Sequence, residues 1–313
     1  MDQLYQDLKK YGQVKNNVAL AKFTTFQIGG PAKFFITIDD NQKLIDLLNY
    51  LSAAGVPYFV LGGGSNLLMP DEGFDGVVIK ITTTKSELQK DNFIFAEAGV
   101  PLANLVNLAA KNELTGLEWG VGIPGTIGGA IRGNAGAMGR EISACVKTVT
   151  IWQNSEITEM SNRECGFNYR ESIFKDCSDV VLSTILELRP GNKTEIMQNM
   201  QGYIKQRTGR YPTFPSAGSF FKNIDLKDWP GDIKQLPELF VERKKIPVGW
   251  LIEQCDLKGY AIGGGKISDE HGNFVVNYKN ATQEDILKIV EEASARVYNR
   301  FGITLEPEVE IIK

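Results

Sequence analysis

A chain of 313 residues is long enough for two or three compact domains, each with a core of its own. Hydrophobic residues at 42% and charged residues at 23% are the balance of an ordinary globular enzyme. The net charge of −4, with no Lys/Arg block, argues against a nucleic-acid or anionic-membrane partner.

The N-terminus, "MDQLYQDLKKYGQVKNN", lacks the apolar core of a signal peptide, and no run approaches the roughly 18 apolar residues of a membrane span. A cytoplasmic location is therefore expected. Cys145, Cys165, Cys177 and Cys255 show no CxxC spacing, so reduced thiols are expected. With His271 as the sole histidine, no metal site is expected either.

In chain order, "FFITI" (34–38), "VPYFVL" (56–61), "VVIKI" (77–81) and "FIFAEAGV" (93–100) read as strands, rich in β-branched and aromatic residues. Between the first two, Leu44, Leu47, Leu48 and Leu51 share one helical face, and Gly55 ends that helix. A second helix spans 101–112, with Pro101 near its start, where a missing N–H costs nothing. A glycine-dense segment (120–139) precedes strands at 146–152 and 180–188 and a helix at 194–208. Pro212 and Pro215 mark a boundary near 210. In the last third a helix runs from Gln283 to about Arg300, capped by Thr282 with Asp285 and closed by Gly302. The final "ITLEPEVEII" reads as a strand broken by Pro307, with Val309 and Ile311 on one face and Glu308 and Glu310 on the other.

Two glycine-rich segments stand out. In "LGGGSNLL" (61–68), Gly62, Gly63 and Gly64 follow a strand, and Ser65 and Asn66 add donors. Consecutive glycines let backbone N–H groups converge on one anion, a natural cradle for a pyrophosphate, whereas a tight turn needs only one or two. The second segment holds Gly120-x-Gly122-x-x-Gly125, a formal dinucleotide fingerprint. Pro124 interrupts it, and glycine at about 1 kcal/mol per helical position makes "GTIGGAIRGNAGAMG" a poor helix opening. Extended backbone passing close to a ligand is expected there instead.

These loops stand in a longer series: "FTTFQIGGPA" (23–32), "LGGGSNLL", "GIPGTIGGAIRGNAGA" (122–137), "CGFNYRESIFK" (165–175), "PSAGSFFKN" (215–223), "GWLIEQ" (249–254) with "HGNF" (271–274), and "LEPEV" (305–309). In that order and over nearly the whole chain, the series resembles the bacterial UDP-N-acetylenolpyruvoylglucosamine reductase family. The short link from Tyr169-Arg170 to "PSAGS" is similar to the subgroup lacking an extra tyrosine-bearing loop.

The resemblance implies an α+β chain with an FAD-binding fold of the para-cresol-methylhydroxylase type. Two α+β subdomains (1–82 and 83–210, with strand 303–313 near the second) would bind FAD, and a smaller α/β domain (211–302) would bind substrate. It implies non-covalent FAD, NADPH as co-substrate, a UDP-sugar whose enolpyruvyl ether is reduced to a lactyl ether, and a monomer. Cofactor contacts would come from Gly62, Gly63, Gly64, Ser65, Asn66, Gly122, Gly125, Thr126, Gly128, Gly129, Asn134, Ala135 and Arg207.

The family's catalytic Arg, Ser and Glu map onto Arg170, Ser219 and Glu308. Arg170 would offer a fork of donors to the substrate carboxylate. Glu308 would act protonated, since an ionised carboxylate cannot help an anionic intermediate. Ser219 would protonate the carbon beside the carboxylate, with Lys222 or water returning its proton. Asn223 and Lys222 would contact the UDP-sugar, and Ser216 reads as turn chemistry. A hydrolase nucleophile at Ser219 lacks its G-x-S-x-G elbow and has only His271 as a base. Ile224-Asp225, Glu310 and Met138 depart from the family pattern. Where Glu310 replaces an arginine, Arg207 or Arg210 would compensate. The competing readings are another FAD-dependent oxidase or dehydrogenase on the same fold, and a non-catalytic flavin- or nucleotide-binding protein.

Overall fold

The computed structural model describes residues 3–209 and 211–313, so Arg210 lies outside the described residues. The chain forms two compact units. The first comprises Met1–Val18, Ala32–Gly63 and Phe74–Arg207; the second comprises Ala19–Pro31, Gly64–Gly73 and Thr208–Lys313.

The first unit opens with helix α1 (Gln3–Leu8). Its first sheet contains β1 (Gln13–Ala19), β2 (Pro31–Ile38), β3 (Tyr58–Leu61) and β4 (Phe74–Ile81), in the order β1-β2-β4-β3. Strands β2 and β3 both run parallel to β4. Phe34, Phe35, Ile36 and Ile38 are all buried, the near-continuous apolar run expected of a strand covered on both faces. Helix α2 (Asn41–Ala53) crosses from β2 to β3. The Asp40 carboxylate accepts from the Lys43 N–H to cap it, and Gly55, at φ +62°, ends it. Leu44, Leu47, Leu48 and Leu51 are fully buried against Ile36, Ile38 and Ile79, roughly 2 kcal/mol each relative to exposure.

The second sheet is antiparallel throughout: β5 (Ser86–Leu88), β6 (Phe93–Glu97), β7 (Val146–Gln153), β8 (Glu156–Ser161) and β9 (Val180–Glu187), in the order β8-β7-β9-β6-β5. Helices α3 (Leu102–Lys111), α4 (Ile127–Arg132) and α5 (Lys193–Arg207) share its core. Helix α4 corrects the sequence reading, which expected extended backbone here. Ile127, Ala130 and Ile131 are buried on the sheet, and a Cβ on Gly128 would sit 2.9 Å from the Ala98 Cβ. Burial of three apolar side chains outweighs the helical cost of two glycines, and Gly128 allows the close approach.

In the second unit, α6 (Glu238–Glu242), α7 (Val248–Gln254) and α8 (Gln283–Phe301) surround an antiparallel sheet of Ala261–Ile262, Gly265–Ile267 and Val275–Asn277. Thr282 and Asp285 form the expected capping box of α8, and Gly302 closes it at φ 70°. Ile286, Ile289, Val290, Ala293 and Val297 form the buried stripe. Residues 303–313 belong to this unit, where Glu310–Ile311 pairs in parallel with Leu67–Leu68. Among the described residues no helix is long and apolar enough to cross a membrane.

Candidate active site

In the first unit the two glycine loops abut. A Cβ on Gly63 would lie 2.5 Å from the Gly125 Cα, and one on Gly62 would lie 2.6 Å from Thr126 Oγ1. Either substitution forces the loops apart. Among the described residues, none accepts a hydrogen bond from the Gly62 or Gly63 N–H. Lys80, on the neighbouring strand, donates to the Gly62 carbonyl, and burial lowers its pKa. That contact fixes the peptide that starts the loop.

Close by, two buried polar atoms lack partners among the described residues: Thr126 Oγ1 and one terminal nitrogen of Arg207, Nη1. Gly122 (φ 74°) faces this nitrogen, a Cβ there falling 3.5 Å from it, while Arg207 Nη2 donates to the Trp119 carbonyl at 3.0 Å. Orphaned buried donors beside glycines whose missing Cβ leaves open backbone are what a phosphate-bearing cofactor would satisfy. The donor set therefore fits FAD.

Asn134 and Ala135 are committed differently. Asn134 is 1% exposed and its side chain is spent on the protein: it donates to Glu141 Oε2 (2.9 Å) and the Asn168 carbonyl (2.7 Å), and accepts from the Ser143 N–H (3.2 Å). The Ala135 N–H donates to the Ala130 carbonyl at 2.7 Å. Both shape the loop around Arg170. The Gly128 N–H is likewise taken, by the Ala98 carbonyl at 2.8 Å, and Gly129 lies on α4.

Arg170 sits at φ 59° in a tight turn bridged by Asn168 and Glu171. This unusual backbone for a non-glycine residue marks a position held by its surroundings. Its guanidinium donates to the Gly136 carbonyl (2.6 Å), lies 3.6 Å from Glu141 Oε1 and stacks over the Tyr169 ring at 5.1 Å. Glu141 thus holds both Asn134 and Arg170, a link the sequence reading missed.

The second unit brings Ser219 and Glu308 onto adjacent segments. Ser219 bridges Phe274 on one side, and Phe221 bridges Pro307 on the other, both antiparallel. The Phe220 carbonyl accepts from two consecutive N–H groups, Glu308 at 2.8 Å and Val309 at 3.3 Å. Two residues opposite one is bulge geometry, a common device for re-aiming a side chain. Lys222 N–H donates to the Glu306 carbonyl at 2.9 Å, and its buried ammonium meets Glu306 Oε1 at 2.5 Å.

The other side of the segment is anchored by Asn273, 2% exposed. Its Oδ1 accepts from the Phe221 N–H (3.0 Å), its Nδ2 donates to the Phe221 carbonyl (2.8 Å), and its own carbonyl takes the Phe220 N–H (2.7 Å). His271 Nδ1 accepts from the Asn273 N–H at 3.1 Å, so the "HGNF" motif supports the Ser219 segment. Burial lowers the His271 pKa. The sequence reading singled out His271 and passed over Asn273, although an asparagine two residues from it was the available signal.

Asn223 Oδ1 accepts the first N–H of α7, from Val248, at 3.1 Å, and its amide nitrogen has no protein acceptor among the described residues. Ser216 Oγ takes a long contact from the Gly218 N–H at 3.5 Å, with Gly218 at φ 83°, in keeping with a turn. Gly64 (φ 64°) carries no Cβ that would collide with the Phe23 carbonyl, and Ser65 follows it. Asn66 turns its side chain to the Glu308 carbonyl.

The chain is similar to known proteins. The family model described as UDP-N-acetylenolpyruvoylglucosamine reductase, C-terminal domain, matches residues 210–312, and one described as FAD binding domain matches residues 32–156. A UDP-N-acetylenolpyruvoylglucosamine reductase of Caldanaerobacter subterraneus is 38% identical over all of this chain and 97% of its own. The chain belongs to the UDP-N-acetylenolpyruvoylglucosamine reductase family. A reductase of Anoxybacillus flavithermus is 37% identical over 100% of this chain and 99% of its own length. The crystal structure of the Thermus caldophilus reductase superposes with a TM-score of 0.78 at 32% identity, covering 96% of this chain and all of that one. A variant of Phl p 4, a glucose oxidase, matches at a TM-score of 0.50 and 15% identity over 61% of this chain and 45% of its own, a likeness of fold alone. The para-cresol-methylhydroxylase-type FAD fold expected from the motifs is borne out, and so is the reductase family.

Proposed function

We propose that the chain is an NADPH-dependent flavoenzyme that reduces the enolpyruvyl ether of UDP-N-acetylglucosamine enolpyruvate to UDP-N-acetylmuramate, for peptidoglycan precursor synthesis. The observation that carries it is the bonding of the Ser219 segment to the Glu308 segment, with the Phe220 carbonyl accepting from the Glu308 N–H and Phe221 bridging Pro307, in a reductase-family fold. The reading takes the enzyme to act in the cytoplasm as a monomer, with no nucleic-acid or membrane partner.

Bound FAD, reduced by NADPH, supplies the hydride. Gly62, Gly63, Gly122, Gly125, Thr126 and Arg207 would hold it, the orphaned Thr126 hydroxyl and Arg207 nitrogen meeting its phosphates. Gly64 and Ser65 would contribute backbone donors. Arg170, oriented by Glu141 and the Gly136 carbonyl, binds the substrate carboxylate and stabilises the charge that grows on it. Ser219 Oγ delivers its proton to the carbon beside that carboxylate, and protonated Glu308 stabilises the enolate as a hydrogen-bond donor. The free amide of Asn223 and the Lys222 ammonium, neutralised in part by Glu306, contact the UDP-sugar.

Purified protein should be yellow and retain FAD. NADPH should bleach it and the enolpyruvyl UDP-sugar restore the colour. A protein that takes up no FAD defeats this function. In stopped flow, Ser219→Ala should keep reduction by NADPH near the wild-type rate and slow reoxidation by the sugar at least about 100-fold, the scale of a lost general acid. Equal losses in both halves would remove Ser219 from the proton-donor role.

A further inference from the structure

Asn66 stands at the end of "GGGSN", where a cofactor contact is expected, yet its side chain points elsewhere. Its Nδ2 donates to the Glu308 carbonyl at 2.9 Å, and its backbone carbonyl accepts from the Glu310 N–H at 3.0 Å. Parallel pairing proper begins one residue later, at Leu67 opposite Glu310. The carboxamide therefore adds a rung beyond the end of the ladder, at the peptide where backbone pairing has run out.

That rung completes the immobilisation of Glu308. Its N–H is already held by the Phe220 carbonyl at 2.8 Å, and Lys222 N–H holds the preceding Glu306 carbonyl at 2.9 Å. Without Asn66, the Glu308 carbonyl would lack its side-chain tether beside Pro307, which has no N–H of its own to contribute. The backbone rungs from Glu310 onward would remain, but the Glu308 peptide oxygen itself would lose this bond.

We propose that the Asn66 side chain is a positioning group for Glu308, which ties the Gly64–Asn66 loop to the catalytic strand, and not a contact to the cofactor. This rests on Glu308 being the catalytic acid of the proposed function. A displacement of about 1 Å in a reacting group costs on the order of 100-fold in rate, so a modest shift of this peptide is enough to matter.

The test uses Asn66→Asp, which keeps the size and turns the donor into an acceptor, and Asn66→Ala, which removes the rung without adding charge. Both are compared with wild type for FAD affinity by fluorescence titration and for each half-reaction. The expected result is an FAD Kd within about threefold of wild type and normal reduction by NADPH. Reoxidation by the enolpyruvyl sugar should be about 10- to 100-fold slower, with its pH profile displaced. On a Glu308→Ala background, Asn66→Ala should slow reoxidation no further. An FAD Kd weakened more than tenfold with normal reoxidation of the loaded enzyme would make Asn66 a cofactor contact and overturn the proposal. A full additional loss on the Glu308→Ala background would overturn it too. If Glu308→Ala alone leaves reoxidation intact, the assignment of Glu308 fails, a result separate from either Asn66 outcome.

Discussion

His271 Nδ1 accepts the Asn273 N–H, which requires that nitrogen to be unprotonated. Its ring packs edge-on to Phe274 at 5.0 Å, and burial lowers its pKa below the ordinary value, about 6.5. The sign follows. Below about pH 6.5 the unfolded chain takes up a proton that the folded imidazole refuses, so stability is full above that pH and falls as pH drops toward the folded pKa. Asparagine can present an acceptor in the same place without titrating. Melting temperatures of wild type and His271→Asn should therefore track each other above pH 7.5 and converge or cross as pH is lowered to 5. Curves that stay parallel across that range would show that His271 does not titrate on unfolding. Sequence alone singles out His271 because it is the only histidine, but its use is visible only through its bond to Asn273. Side-chain clamps on backbone leave no periodicity to read.

At the level of elements, the ladder 219–222 is held by single bridges to Phe274 and Pro307 and not by long strands. Asn273 supplies two of its hydrogen bonds, to the N–H and the carbonyl of Phe221, in a fully buried setting. Asn273→Ala orphans both backbone groups, each costing about 1–3 kcal/mol, so a loss of roughly 2–6 kcal/mol is expected in urea unfolding. A loss below about 1 kcal/mol would mean that water or a shifted backbone replaces both bonds. The contrast with α8 explains what sequence can show. Its capping box, five-residue stripe and closing Gly302 are local signals and are read directly. Helix α4 is hidden because its glycines argue against a helix, while the contact with Ala98 that calls for Gly128 comes from a distant strand end. One-residue bridges such as Phe221 with Pro307 lack any pattern of their own. The residues Ser219 and Glu308 were thus legible by family motif, and their adjacency was not.

For the molecule as a whole, the fit to FAD makes cofactor and stability one measurement. A ligand that binds only the folded state, present at 100 times its Kd, adds about 2.7 kcal/mol, which should raise the melting temperature of the apoprotein by several degrees. Gly63 is the position where this increment should disappear. Its Cβ would stand 2.5 Å from the Gly125 Cα, and because both atoms are backbone or fixed to it, no rotamer relieves the clash. Gly63→Ala must part the two loops and with them the open N–H groups, the Thr126 hydroxyl and the Arg207 nitrogen. The comparison is made for each variant with and without FAD, so a lower melting point of the apo variant does not confuse it. Gly202 provides the control. It lies within α5 with nothing within 4 Å of its missing Cβ, so Gly202→Ala should stabilise the helix by about 0.5–1 kcal/mol and keep the full FAD increment. If Gly63→Ala retains the increment of wild type, the abutting loops are not where FAD binds, and the orphaned donors beside them need another partner.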